Sequence, residues 1–191
     1  IRGLSASSVH PREYKEIEES GVLRAVTEYN SVSYYVDGDT LAGFSYELLK
    51  RFAEAKGLKL EITPEMSYEQ RRLDLEKGKY DIIADNNVTT SELKDSLLFT
   101  RPIILNKQIL VQRKRELVSD SIYISTQLDL SKKTLNVVKG SPAISRIHNL
   151  SNEIGDTINI HQIDKYGQEQ LLALVASGDI DYAVCDEFIA K

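Results

Sequence analysis

One cysteine in 191 residues, Cys185, leaves no partner for an internal disulfide and too few thiolates for a cysteine-cluster zinc site. No run approaches the roughly 18 consecutive apolar residues that a membrane-crossing helix requires. The excess positive charge that a nucleic-acid backbone demands is also missing. Net charge is −5 and the isoelectric point about 5.3, and the basic run Arg113-Lys114-Arg115 is too short to change that. The three histidines, His10, His148 and His161, do not have metal-ligand spacing. Neither a G-x-S-x-G elbow, nor a phosphate loop, nor a dinucleotide glycine fingerprint occurs, and no two carboxylates stand out as an acid–base pair. Cys185 falls inside an apolar strand, the setting of an inert buried thiol rather than a nucleophile. The expectation is a chain without catalysis, cofactor or metal. An initiator methionine and a basic-then-apolar leader are absent as well; the chain opens Ile1-Arg2-Gly3-Leu4-Ser5-Ala6-Ser7-Ser8. That small, serine-rich stretch suits the trimmed leader of an exported or lipid-anchored protein, and equally an arbitrary chain boundary.

What is present is an ordinary globular composition, 41% hydrophobic and 28% charged, long enough for one large domain or two small lobes. Pro11 to Ser20 reads as a short charged helix stopped by Gly21. Val22–Thr27 follows as a buried strand, then a turn at Asp37-Gly38-Asp39. An amphipathic helix over Tyr46–Lys56, a strand at Leu58–Thr63, a helix at Tyr68–Lys77 closed by Gly78, and a strand at Tyr80–Ala84 complete a first α/β unit. Strand, helix, strand, helix, strand at these spacings predicts a parallel, doubly wound sheet. Ile109–Arg113 reads as a strand leaving that unit. A second unit has strands at Leu135–Val138, Ile158–His161 and Tyr182–Cys185, with helices opening after Gly140-Ser141-Pro142 and spanning Gln168–Ser177.

The two units echo each other. Gly78, Asp81 and Asn86 mark a helix end, a strand start and a strand exit in the first, and Gly178, Asp181 and Asp186 repeat the offsets in the second. Ligands of open α/β sheets sit outside the carboxyl ends of strands, which singles out Asn86 and Asp186.

Several segments carry a family resemblance: Leu41-Ala42-Gly43-Phe44-Ser45-Tyr46-Glu47-Leu48-Leu49, Gly78-Lys79-Tyr80-Asp81, Thr90-Ser91-Glu92, Phe99-Thr100-Arg101-Pro102, and Gly178 through Asp186. In order and spacing the chain from about Ile17 onward resembles the extracellular solute-binding proteins of family 3, the type 2 periplasmic binding proteins of polar-amino-acid transporters. Asp181–Asp186 also resembles the binding domain of the membrane-bound lytic murein transglycosylases. The resemblance implies a two-lobed α/β fold of the type 2 periplasmic kind. Residues 1–20 would be leader and short helix, 21–112 lobe 1 and 113–191 lobe 2, with the usual C-terminal return to lobe 1 lacking. The lobes would close about a hinge near Gln112–Lys114 on a small polar ligand.

The same resemblance implies site residues. Tyr34 and Tyr35 occupy the place of a stacking aromatic, with covering the core edge as their plain alternative. Asn86, Thr89 and Thr90 follow the third strand, where the family holds a ligand carboxylate; capping the next helix would also explain Thr90. Asp85 is a candidate acceptor for a ligand amine, or a solvated strand-end carboxylate. Ser141 opens a helix whose free N–H groups favour an anion, or simply caps it. Asp186 matches the position that pairs with the ligand ammonium. The family's carboxylate-gripping arginine is replaced by Leu93, leaving Arg101 or Lys94 as a substitute cation, with an exposed hinge-side charge as the alternative for Arg101. Two functions follow from the resemblance. One is a periplasmic or cell-envelope binding protein delivering an amino acid or short peptide to a membrane transporter. The other is a sensing domain of a lytic transglycosylase responding to muropeptides.

Overall fold

Glu13 and Gly21 bracket the first helix. Helix α1 (Tyr14–Ser20) begins on a capping box, the Glu16 carboxylate accepting the Glu13 N–H at 2.8 Å. It ends where Gly21, at φ 69°, donates back to Ile17 and Glu18. The helix starts three residues later than Pro11 suggests, because residues 10–12 form a strap across the sheet entrance. The chain is seen in a computed structural model that describes residues 9–85 and 94–191. It divides into two compact units, Ile1–Asp85 and Asn86–Lys191.

In the first unit β1 (Val22–Thr27) is the centre of a parallel three-stranded sheet, between β4 (Lys59–Pro64) and β5 (Ile82–Ile83). A two-residue turn at Gly38, φ 59°, joins β2 (Tyr35–Asp37) to β3 (Thr40–Ala42), an antiparallel hairpin too short for alternation to reveal. Helix α2 (Phe44–Ala55) leads to β4 (Lys59–Pro64), and α3 (Tyr68–Glu76) leads to β5 (Ile82–Ile83). Only two residues of the strand expected at 80–84 pair formally, though Asp81 and Ala84 also donate to Arg24 and Val26 of β1. Ile17, Leu23, Ala53 and Leu58, with Leu60 and Ile82, make the core. Because β4 and β5 flank β1 on opposite sides, strand order reverses at β1. Its carboxyl end is therefore the crevice where such sheets take ligands.

The second unit is a four-stranded sheet ordered β6-β9-β7-β8, from β6 (Gln108–Gln112), β7 (Thr134–Val138), β8 (Asn159–Ile163) and β9 (Tyr182–Asp186). Helix α4 (Ala143–Ile154) buries Ala143 and Ile147 against Leu135, Val137, Ile158 and Val184. Helix α5 (Gln168–Ser177) packs on β9, β7 and β6, and the short α6 (Glu187–Ala190) follows β9 directly. Asn136 ties three strands together. Its Nδ2 donates to Tyr182 O at 2.8 Å while its Oδ1 lies 2.9 Å from His161 Nδ1. Strand β6 pairs antiparallel with β9 from Gln108↔Asp186 to Gln112↔Tyr182. The sequence reading draws its lobe border after Gln112. The pairing instead makes β6 part of the second sheet, and Ile17 makes α1 part of the first core.

Candidate functional site

At the carboxyl ends of the first sheet the chain turns polar and buries what it places there. Thr27 Oγ1 donates to Ala84 O at 2.7 Å, and Glu65 N–H to Thr27 O at 2.9 Å, so the three strand ends are laced together. Asp85, just past β5, accepts from Arg71 Nε at 2.7 Å, and both side chains are buried. Arg71 Nη1 donates to the Glu65 carbonyl, just past β4, and Cζ lies 4.6 Å from the Tyr68 ring centroid. Since β4 and β5 flank β1, this one guanidinium spans the carboxyl end of the central strand. Asp85 is thus a buried ion-pair member rather than a solvated carboxylate.

Beside it, Asn30 Oδ1 accepts the N–H groups of Val32 and Ser33 at 3.0 and 2.7 Å, turning the chain after β1. The turn buries Tyr34 between Tyr29, edge-on at 6.0 Å, and Tyr46, tilted at 6.1 Å. Tyr35 is half-buried and opens β2. Of this aromatic trio the exposed ring is Tyr29, which the sequence reading does not single out. Asn86, Thr89 and Thr90, with Leu93, lie outside the described residues.

In the second unit Asp186 ends β9 and is held by one side chain at two points. Gln168 Oε1 accepts the Asp186 N–H at 2.6 Å, and Gln168 Nε2 donates to Asp186 Oδ2 at 3.2 Å. Both residues are buried. Burial, and the neighbouring Asp186 charge, push the Cys185 thiol up to about 12, so it stays protonated at neutral pH. Ser141 Oγ accepts the Ala143 N–H at 3.2 Å, one residue before the Pro142 N-cap of α4. Arg101 is exposed, in an irregular stretch of the second unit.

The repeated Gly-x-x-Asp pieces lie at the opposite, amino-terminal ends of the strands. Asp81 is enclosed by Arg12 (Nε–Oδ1 2.9 Å, Nη2–Oδ2 2.5 Å) and by Arg24, which donates its backbone N–H at 2.8 Å and Nη2 at 2.9 Å. Asp181 accepts from Arg113 Nη2 at 2.5 Å, and Arg113 Nη1 also donates to Val175 and Ile180 carbonyls. This half of the echo joins each strand entrance to an arginine. Sequence reasoning missed Arg71 and Gln168. Arg71 sits in a helix of almost wholly polar residues and gives no signal, whereas a glutamine opening the helix before Asp186 was at least in the right place.

Comparison with known proteins agrees with this architecture. The profile of the bacterial extracellular solute-binding proteins, family 3, matches residues 23–150. Membrane-bound lytic murein transglycosylase F of Photobacterium profundum is 31% identical over 172 residues, 90% of this chain and 33% of that protein. The protein of the same name from Idiomarina loihiensis is also 31% identical, over 89% of this chain and 36% of its own length. The chain thus spans about a third of the curated relatives it matches. An ancestral arginine-binding protein bound to glutamine superposes with a TM-score of 0.74 at 26% identity, covering 89% of this chain and 71% of that one. The truncated, arginine-bound ArgBP from T. maritima gives 0.74 at 25% identity, covering 92% and 78%. These neighbours are two-lobed α/β periplasmic binding proteins, and that is the fold here. With its profile match running from β1 to α4, the chain belongs to the bacterial extracellular solute-binding proteins, family 3.

Proposed function

We propose that the chain is a non-catalytic binding unit working in the periplasm or cell envelope, and that it takes a small polar ligand, an amino acid or a short peptide. The observation that carries this reading is Asp186. A carboxylate at the carboxyl end of β9, 8% exposed and oriented through Gln168, is preorganised for a cation such as a ligand ammonium. The arginine and glutamine bound by the structural neighbours carry that group and support the assignment. In this reading the ligand is passed to a membrane transporter. Tyr34, Tyr35, Asp85, Asn86, Thr89, Thr90, Arg101 and Ser141 are the further proposed ligand contacts.

A second reading has its own observation. The curated relatives quoted above are lytic transglycosylases, and this chain matches only about a third of each. On that reading the chain is a sensing domain whose ligand is a peptidoglycan fragment. A thermal-shift screen against amino acids, short peptides and muropeptides separates the two. A ligand at about 100 times its dissociation constant adds roughly 2.7 kcal/mol. A shift with free amino acids supports transport, and a shift with muropeptides alone supports sensing. Binding that survives Asp186→Asn unchanged refutes the role given to Asp186.

A further inference from the structure

Arg71 is almost completely buried, 1% exposed. Two of its three nitrogens are spent within the chain, Nε on Asp85 and Nη1 on the Glu65 carbonyl. The third, Nη2, is buried and among the described residues has no hydrogen-bond acceptor. A guanidinium desolvated to this degree normally has its donors satisfied. An apolar side chain would fill a core position at less cost than a buried ion pair. The burden falls at a particular place: Glu65 follows β4, Asp85 follows β5, and the group that joins them straddles the end of β1, where the strand order reverses.

We infer that Arg71 is a ligand-binding residue of the first unit, its Nη2 donor completed by a carboxylate of the bound small molecule. This rests on the solute-binding reading and specifies the chemistry that reading leaves open. Asp85 and the Tyr68 face hold the guanidinium plane, so the remaining donor is fixed in direction before a ligand arrives. A monoanionic carboxylate suits the site better than a phosphate dianion, because two acidic residues, Glu28 and Asp85, are already buried at these strand ends.

The test follows the arginine Nε–Hε cross-peaks of the whole chain by 15N NMR, with the Arg71 signal assigned by its loss in Arg71→Lys. The probes are L-arginine, L-glutamine, sodium acetate and agmatine, which is arginine without its carboxylate. The expected result is a saturable shift of the Arg71 peak with L-arginine or L-glutamine, a weaker one with acetate and none with agmatine. A peak that stays fixed with all three carboxylates overturns the proposal. If melting temperature nevertheless rises with an amino acid, the solute-binding reading stands and only the role of Arg71 falls. If neither responds, both fall for free amino acids. Arg71→Leu combined with Asp85→Ala removes the guanidinium without stranding its partner. This double variant should bind the responding amino acid roughly 10- to 100-fold more weakly, and unchanged affinity again overturns the proposal.

Discussion

Replacing Asp81 by asparagine tests the physical reasoning where the structure is most explicit. The Asp81 carboxylate is fully enclosed and takes hydrogen bonds from two arginines and one backbone N–H. Burial alone would raise its pKa. The hydrogen bonds of Arg12 and Arg24, the Arg24 N–H and the Arg24 charge outweigh it and bring the group from 3.8 to about 2. A carboxyl depressed in the folded state contributes stability that is complete above its unfolded pKa and is lost as pH falls through the folded one. The window is therefore about pH 4 down to pH 2, and the contribution about 2 kcal/mol, reduced by solvent screening at the partly exposed arginines. Asparagine keeps the size but cannot match the charge, so at pH 7 the variant should be about 2–3 kcal/mol less stable. Urea unfolding of both proteins at several pH values measures this, the difference cancelling other carboxylates. Convergence of the two stability curves between pH 4 and pH 2 is expected. Parallel curves through that window would refute the account of Asp81.

Further outcomes follow from the same geometry. Alanine at Gly78, φ 78°, would place its Cβ 2.0 Å from the His10 carbonyl carbon, so urea unfolding should show a loss of about 3 kcal/mol. Alanine at Gly155, φ 72° with open space around it, should cost only about 1 kcal/mol in the same assay. Gln168→Ala should lower stability by about 1–3 kcal/mol and weaken any ligand that Asp186 holds, read by chemical denaturation and calorimetry. Cys185, protonated at neutral pH and buried, should resist a thiol-specific disulfide reagent in the native protein and react once urea unfolds it.

Much of the architecture was legible because local chemistry and packing agree. Gly21 and Gly178 end their helices in left-handed conformations, and the branched run of β1 and the limits of α5 occur where the sequence places them. The β2–β3 hairpin escaped notice because three-residue strands cannot display a period of two. The site was only partly legible. Asp186 could be placed at a strand exit by analogy, but Gln168, the side chain that holds it, is eighteen residues away. Arg71 could not be found, since adjacent arginines in a polar helix read as a solvated face. Its burial is decided by Asp85, fourteen residues on, and by strand order. The Gly-x-x-Asp echo was visible, but its arginine partners lie 57, 68 and 69 residues from the aspartates. No local pattern encodes such a distance.

The strap at residues 10–12 gives the first sheet a division of labour along its length. Arg12 fastens to Asp81 and to the Val22 carbonyl, and Gly78 leaves room for the His10 backbone, all at the amino-terminal edge. The six residues of β1 separate that edge from Arg71 and Asp85 by about 17–20 Å. Residues 10–12 therefore meet the first sheet on the side that is clamped for stability, at the opposite end of β1 from Arg71 and Asp85. A probe or surface linkage introduced at Val9 would grip the first unit by its anchored edge, a strand's length from the carboxylate contact proposed for Arg71.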